Sequence, residues 1–293
     1  MIAVVVPTVP ERADIFDKFV KAWEPLFKRH DVRFIKVVDG DEPKVFFEGM
    51  YNTSFTPTEV MGKYADCLSN HNAGIRNLGF AFIARGEDTE DIEYIITLDD
   101  DVLPVGDPIA DHLSALYRTV PTSWLSTMID DYPRGFPYGI RHESVTVLSH
   151  GVWTGVADWD APNQLVRGNS QANFYKGPIP KGVYYPMCSM NLAFRRCMLP
   201  YIFHAPWALG INRFDDIFAG IESKREIDKH GWAAVTGYAQ VHHERASNVF
   251  TNLKNEAPGI ELNETFWQGD ESHPYFKIYR EKLKLWQTWL SYI

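Results

Sequence analysis

The chain has 293 residues, 45% hydrophobic and 14% aromatic, enough to bury one large core or two modest ones. A formal net charge of -9 and a pI near 5.6 argue against a general binder of nucleic acid or anionic membranes and leave room only for a local basic cleft. Three cysteines, Cys67, Cys188 and Cys197, are odd in number and lack ligand spacing, which argues against a disulfide framework and a zinc site. The opening MIAVVVPTVPER lacks a basic n-region, and no apolar stretch reaches transmembrane length, so residence in the cytoplasm with no integral membrane segment is expected.

In chain order, Ile2 to Val6 reads as a strand stopped by Pro7, and Thr8 to Arg12 as a loop into a helix through Phe16, Phe19, Val20 and Trp23. A second strand, Arg33 to Val38, ends in Asp39-Gly40-Asp41. There Asp39 can accept a hydrogen bond from a base or ribose, or can simply form a turn. Residues 42–62 are irregular. Ala65 to Ala84 then reads as one helix whose Arg76 either pairs with a diphosphate as a planar fork or lies solvated on the helix face.

The stretch that organises the chain is Asp91 to Pro104. Ile92 to Leu98 is rich in β-branched residues and runs straight into Asp99, Asp100 and Asp101. Ligands of open α/β sheets bind at the carboxyl ends of strands, and alternation puts Asp99 and Asp101 on one face. Two hard oxygen ligands there suit Mg²⁺ or Mn²⁺ together with substrate phosphates; a solvated turn before a helix cap at Asp107 is the plainer alternative. With a helix from Asp107 to Tyr117, the first 120 residues alternate strand and helix, which predicts an α/β fold with a mostly parallel, doubly wound sheet.

Beyond Pro121, a loop punctuated by Pro and Gly, Tyr132 to Gly139, precedes a strand from Ser144 to Leu148. Val156 to Gln164 holds two further aspartates, which read as turn formers. Lys181 to Phe194 is apolar core beside the site. Arg213 to Ile227 is a helix with Asp215 and Asp216 in its first turn, where capping is the first explanation. The strand Ala233 to Val241 runs into His242-His243, and His243 is a candidate third metal ligand beside Asp101 and Asp99. An amphipathic helix, Tyr275 to Tyr292, closes the chain against the body. No repeat, phosphate-binding glycine loop or Ser-His-Asp motif is present.

The blocks VVVPT (4–8), VVDGD (37–41), TLDDD (97–101), PRGFP (133–137), SHGVW (149–153), DWDAPNQLV (158–166), KGVYYPMCSMNLAF (181–194), RFDDIFAG (213–220) and HERASNVFTNLK (243–254) occur in the order of a known family. Together they resemble the reversibly glycosylated polypeptides, the UDP-arabinopyranose mutases of plants. The resemblance implies one GT-A glycosyltransferase-like domain over 1–293, with a nucleotide-binding half (1–120), a sugar and active-site half (121–270) and a terminal helix (271–293). It implies a UDP-sugar partner, no nucleic acid, Mn²⁺ or Mg²⁺ at the triplet, and leaves a homo-oligomer open. On the matching blocks it implies substrate contacts at Pro7, Thr8, Asp39, Asp99, Asp100, Asn191, Asp215 and Lys254; Arg76, outside these blocks, is a candidate phosphate contact from its own residue type and position. The resemblance further implies metal ligation by Asp101, Asp99 and His243, and a reversibly glycosylated arginine at Arg134.

Asp130, Asp131 or Glu143 would orient that arginine and take its proton. The sequence departs from the family pattern at Phe136, Ser189 and Glu244-Arg245, changes that bear on the sugar more than on the nucleotide. An ordinary transferase passing the sugar to an external acceptor would instead need a catalytic base, for which Asp216 would serve, and no Arg134. A non-catalytic UDP-sugar-binding subunit is the more distant alternative.

Overall fold

Ile2–Thr8 forms strand β1, and its alternating side chains feed two cores. Ile2, Val4 and Val6 pack with Phe16, Phe19 and Trp23 of helix α1 (Ala13–Arg29), while Ala3 and Val5 pack on the other face with Ile75 and Leu78. A strand buried on both faces reads as a continuous apolar run, as this one does. Described by this computed structural model are residues 1–47, 53–86, 88–125, 128, 131–168, 172–244 and 248–293. Asp130 and Arg245 lie outside them.

The remaining strands are β2 (Val32–Val38), β3 (Lys44–Phe47), β4 (Ser54–Phe55), β5 (Tyr94–Leu98), β6 (Val102–Pro104), β7 (Thr119–Val120), β8 (Ser144–Gly155), β9 (Gly177–Pro178), β10 (Asn191–Arg195) and β11 (Ala233–His243). The further helices are α2 (Pro57–Met61), α3 (Arg76–Arg85), α4 (Pro108–Leu116), α5 (Ala161–Arg167), α6 (Asp215–His230), α7 (Val249–Phe266) and α8 (Pro274–Leu290). One sheet runs in the order β4-β3-β2-β1-β5-β10-β8-β11-β6, with β7 beside β8 and β9 beside β11. The α/β class is as expected. The parallel pairs are β1 with β2, β1 with β5, and β8 with β11, and the rest are antiparallel, so the sheet is mixed rather than mostly parallel. The strand inserted between β5 and β8 is β10, which a purely alternating pattern does not foresee.

Two expected elements changed length for identifiable reasons. The helix expected from Ala65 is 3₁₀ over Gly62–Cys67, breaks, and resumes as 3₁₀ at Ala73–Ile75 before α3. The break follows from His71, which takes a left-handed φ of 58° and donates its backbone N–H to Asp39 Oδ1 at 2.9 Å. Strand β8 runs well past Leu148 because Gly151 lets the side chain of Asn191 lie against the backbone; a Cβ there would stand 2.0 Å from Asn191 Nδ2. α3 closes on β1 through Gly79, whose Cβ would meet Val5 Cγ1 at 2.5 Å. α8 is fastened by indole and phenol donors: Trp286 Nε1 to Leu199 O at 2.8 Å and Tyr275 Oη to Pro206 O at 3.0 Å. Among the described residues no helix is long and apolar enough to cross a membrane.

Candidate active site

The extended run stops at Leu98. Asp100 and Asp101 stand in the turn between β5 and β6, so strand alternation does not govern them and the three carboxylates find different partners. Asp100 is buried, accepts from Thr8 Oγ1 at 2.7 Å and pairs with Arg12 Nη2 at 2.7 Å. Burial pushes its carboxyl up to about 6 against the pull of Thr8 and Arg12. The same Arg12 nitrogen donates to Asp101 Oδ2 at 2.7 Å, clamping the turn. Trp23 Nε1 holds the next carbonyl, that of Val102, at 2.9 Å.

Asp99 turns to Arg76 instead. Arg76 is 2% exposed, not solvated on a helix face, and four of its five N–H groups go to Asp99 Oδ1 (2.7 Å), Thr97 Oγ1 (2.8 Å), Ser189 O (2.9 Å) and Ala73 O (2.9 Å). Its guanidinium therefore ties Asp99 to the start of α3, where the sequence left a diphosphate fork or a solvated helix face as the two expectations.

His243 is the last residue of β11 rather than part of a loop, and it pairs in register with Val102, the neighbour of Asp101. Its Nδ1 donates to Val156 O at 2.8 Å, so in the neutral ring Nε2 presents a lone pair, 3.9 Å from Asp101 Oδ1. An imidazole nitrogen and a carboxylate oxygen facing at this separation fit a divalent cation that takes its other ligands from phosphate and water. A three-residue set of Asp101, Asp99 and His243 is not assembled: among the described residues no group of three or more His, Cys, Asp or Glu is arranged to hold a metal. Asp99 is drawn off by Arg76.

A second group of acids lies beside the first. Asp215 and Asp216 open α6 but do not cap it as expected. Asp215 Oδ1 accepts from Trp207 Nε1 at 3.1 Å and its buried Oδ2 has no hydrogen-bond partner among the described residues, while Asp216 Oδ2 accepts the N–H of Ser189 at 3.1 Å. Burial, with Asp215 and Asp158 adding repulsion, pushes the Asp216 carboxyl well above its ordinary range. Asp158, in the loop after β8, is exposed. Desolvation raises its carboxyl, and Asp99 and His243 are among the charges it feels. Asp39, at the end of β2, is a buried tie: its Oδ1 accepts from Gly40 N at 2.8 Å and His71 N at 2.9 Å, and burial raises its pKa. Pro7 and Thr8 end β1 next to it, where β1 has already outrun its pairing with β5.

Three expected residues are elsewhere. Asn191 is fully buried in the sheet; burial holds His112 down to about 4, so its neutral ring donates Nε2–H to Asn191 Oδ1 at 2.8 Å, and Asn191 Nδ2 faces Val152 O and Ala239 O. It brings no polar atom to the cleft. Lys254 is exposed on the second turn of α7 and makes no hydrogen bond or ion pair among the described residues. Arg134 is exposed at a turn closed by Phe136 N to Pro133 O at 3.1 Å, with Gly135 at φ 94°.

The Arg134 turn packs in a ring cluster of Trp124, Tyr132 and Phe136, and Trp124 Nε1 donates to His142 O at 3.0 Å, just before β8 begins. Arg134 thus sits at the start of β8 while the triplet sits at its end, where Gly155 pairs with His243. Its expected orienting acids are engaged otherwise: Glu143 accepts from Thr119 Oγ1 and Asp131 from Tyr132 N.

Arg12, two residues after Pro10, was expected only as the end of a loop, and Asp158 only as a turn former; neither was singled out for the site.

The profile of the reversibly glycosylated polypeptide family matches residues 1–277. The chain is 33% identical over 299 residues to UDP-arabinopyranose mutase 3 of Arabidopsis thaliana, covering 94% of this chain and 77% of that protein. It is 31% identical over 316 residues to UDP-arabinopyranose mutase 1 of the same plant (98% and 83%), and 31% identical over 292 residues to UDP-arabinopyranose mutase 1 of Oryza sativa subsp. japonica (91% and 75%). Among solved structures, a Drosophila galactosyltransferase crystallised with manganese, UDP-Gal and xylobiose gives a TM-score of 0.39 at 14% identity over 84% of this chain and 71% of that one, too slight to argue from. The match along nearly the whole sequence, with the acidic triplet, the Asp215–Asp216 pair and His243 all inside it, shows that this chain belongs to the reversibly glycosylated polypeptide family.

Proposed function

We propose that this protein is a UDP-sugar mutase that interconverts pyranose and furanose forms, of the UDP-arabinopyranose to UDP-arabinofuranose type, in a GT-A-like cleft. The observation that carries the reading is the approach of His243 Nε2 to Asp101 Oδ1 at the carboxyl end of the sheet in a chain similar along its length to proteins named for this reaction. Asp101 and His243 would hold Mn²⁺ or Mg²⁺, which when bound supplies positive charge to the departing diphosphate. Asp39, Pro7 and Thr8 form the end of the sheet against which the nucleoside would lie.

The chemistry asked of the side chains is balanced as follows. A nitrogen of Arg134 forms a bond to the anomeric carbon as the carbon–oxygen bond to UDP breaks, and that nitrogen gives up a proton. The arginine nitrogen then forms a double bond to the anomeric carbon as the ring oxygen leaves it and takes a proton; the hydroxyl on C4 adds to that carbon, returning the double-bond pair to nitrogen and giving a proton back, and a diphosphate oxygen finally displaces the reprotonated arginine nitrogen. A carboxyl whose pKa is raised by burial suits the proton donation to the ring oxygen, the role proposed for Asp216. Incubation of the purified protein with UDP-arabinopyranose and Mn²⁺, without any acceptor, tests the proposal. UDP-arabinofuranose is the expected product; free arabinose alone, or turnover only with an added acceptor, would overturn it.

A further inference from the structure

We infer that Arg134 works in the cleft of a second copy of this chain rather than in its own. The inference rests on the reading above, in which Arg134 carries the sugar. Thr119 and Val120 pair with Val145 and Ser144, and the Trp124 cluster and Arg134 follow below them, at the amino end of β8. Asp101 and His243 stand at the carboxyl end of the same strand, whose twelve residues span roughly 36 Å at ~3.3 Å per residue. No arginine side chain crosses that distance.

The far loop presents Arg134, which is exposed and makes no hydrogen bond or ion pair among the described residues. Each end also exposes apolar side chains. Leu125 is 87% and Tyr138 84% exposed beside the arginine turn, and Val166 is 85% and Phe250 70% exposed on α5 and α7, the helices that follow β8 and β11 at the cleft end. An antiparallel two-fold pair brings each arginine loop to the other copy's cleft and covers both apolar ends at once.

Intersubunit complementation tests this. Two differently tagged chains are co-expressed, one Arg134→Lys with an intact cleft and one Asp101→Asn with an intact arginine, and mixed assemblies are isolated through both tags. They are incubated with radiolabelled UDP-arabinopyranose and Mn²⁺. The expected result is label on Arg134 of the Asp101→Asn chain, with neither variant labelled alone. His243→Ala in place of Asp101→Asn should give the same pattern, which guards against a folding fault in one variant. If wild type labels Arg134 but the mixed assemblies stay unlabelled, or if no mixed assembly forms, the arginine acts within its own chain and the inference is overturned. If wild type leaves Arg134 unlabelled, the carrier role itself fails and the inference falls with it.

Discussion

His243 Nε2 lies 3.9 Å from Asp101 Oδ1 because β11 and β6 pair His243 with Val102, so a hydrogen-bonded ladder rather than a loop sets the separation. A cation held between them should be lost when either is changed. His243→Ala and Asp101→Asn are each expected to weaken Mn²⁺ binding in calorimetry and to cut turnover ~100-fold or more, the several kcal/mol that a diphosphate-neutralising cation supplies. Unchanged Mn²⁺ affinity in both variants would remove these residues from the metal site.

Arg76 ties four acceptors on three segments, and lysine cannot reproduce a planar fork. Arg76→Lys should destabilise the protein by about 3 kcal/mol, since it leaves buried acceptors and a carboxylate unpaired. UDP binding should weaken as Asp99 is released. Denaturant melts together with UDP titrations read both; a variant of normal stability that merely loses affinity would make Arg76 a direct phosphate ligand after all.

Much of this was legible in the chain itself. β1, β2, β5 and α1 follow from apolar runs and a 3.6-residue period, and the acids read at strand exits do follow β2 and β5 at their carboxyl ends. What could not be read were relations set by tertiary pairing. The position of β10 between β5 and β8 buries Asn191, Arg76 reaches across to Asp99 and Ser189, and Asp39 pulls His71 out of a helix. Arg134 was legible as a loop residue, but the end of β8 from which its loop departs depends on the register of β7.

Burial and the neighbouring carboxylates raise the pKa of Asp216 in the folded state above that of an unfolded aspartate. Its raised pKa contributes stability that is full below about pH 4 and fades as the pH rises toward about 8. Asp216→Asn, which removes the titration, should raise the melting temperature relative to wild type at pH 8.5 by ~2 °C or more while changing little at pH 5. Equal shifts at both values would place the carboxyl in its ordinary range. Activity of wild type should also fall as pH rises through about 8, as the donor ionises.

Asp39 is both tie and candidate ligand, and the two roles separate by substitution. Asp39→Asn keeps an acceptor for Gly40 and His71 and should hold the melting temperature within a few degrees. It should cost UDP about 10-fold in affinity. Asp39→Ala should lower stability as well, because two buried N–H groups lose their partner. Full UDP affinity in the asparagine variant would leave Asp39 as a turn residue only.

The most direct measurement of the central claim is the ratio of UDP-arabinopyranose to UDP-arabinofuranose reached from either side by chromatography, with no acceptor present, for wild type and Asp101→Asn. Wild type with Mn²⁺ should approach the same ratio from both starting compounds, and Asp101→Asn should leave each unchanged. Wild type that leaves both ring forms untouched, or an Asp101→Asn variant that equilibrates them at the wild-type rate, would contradict the assignment of this cleft to ring-form interconversion.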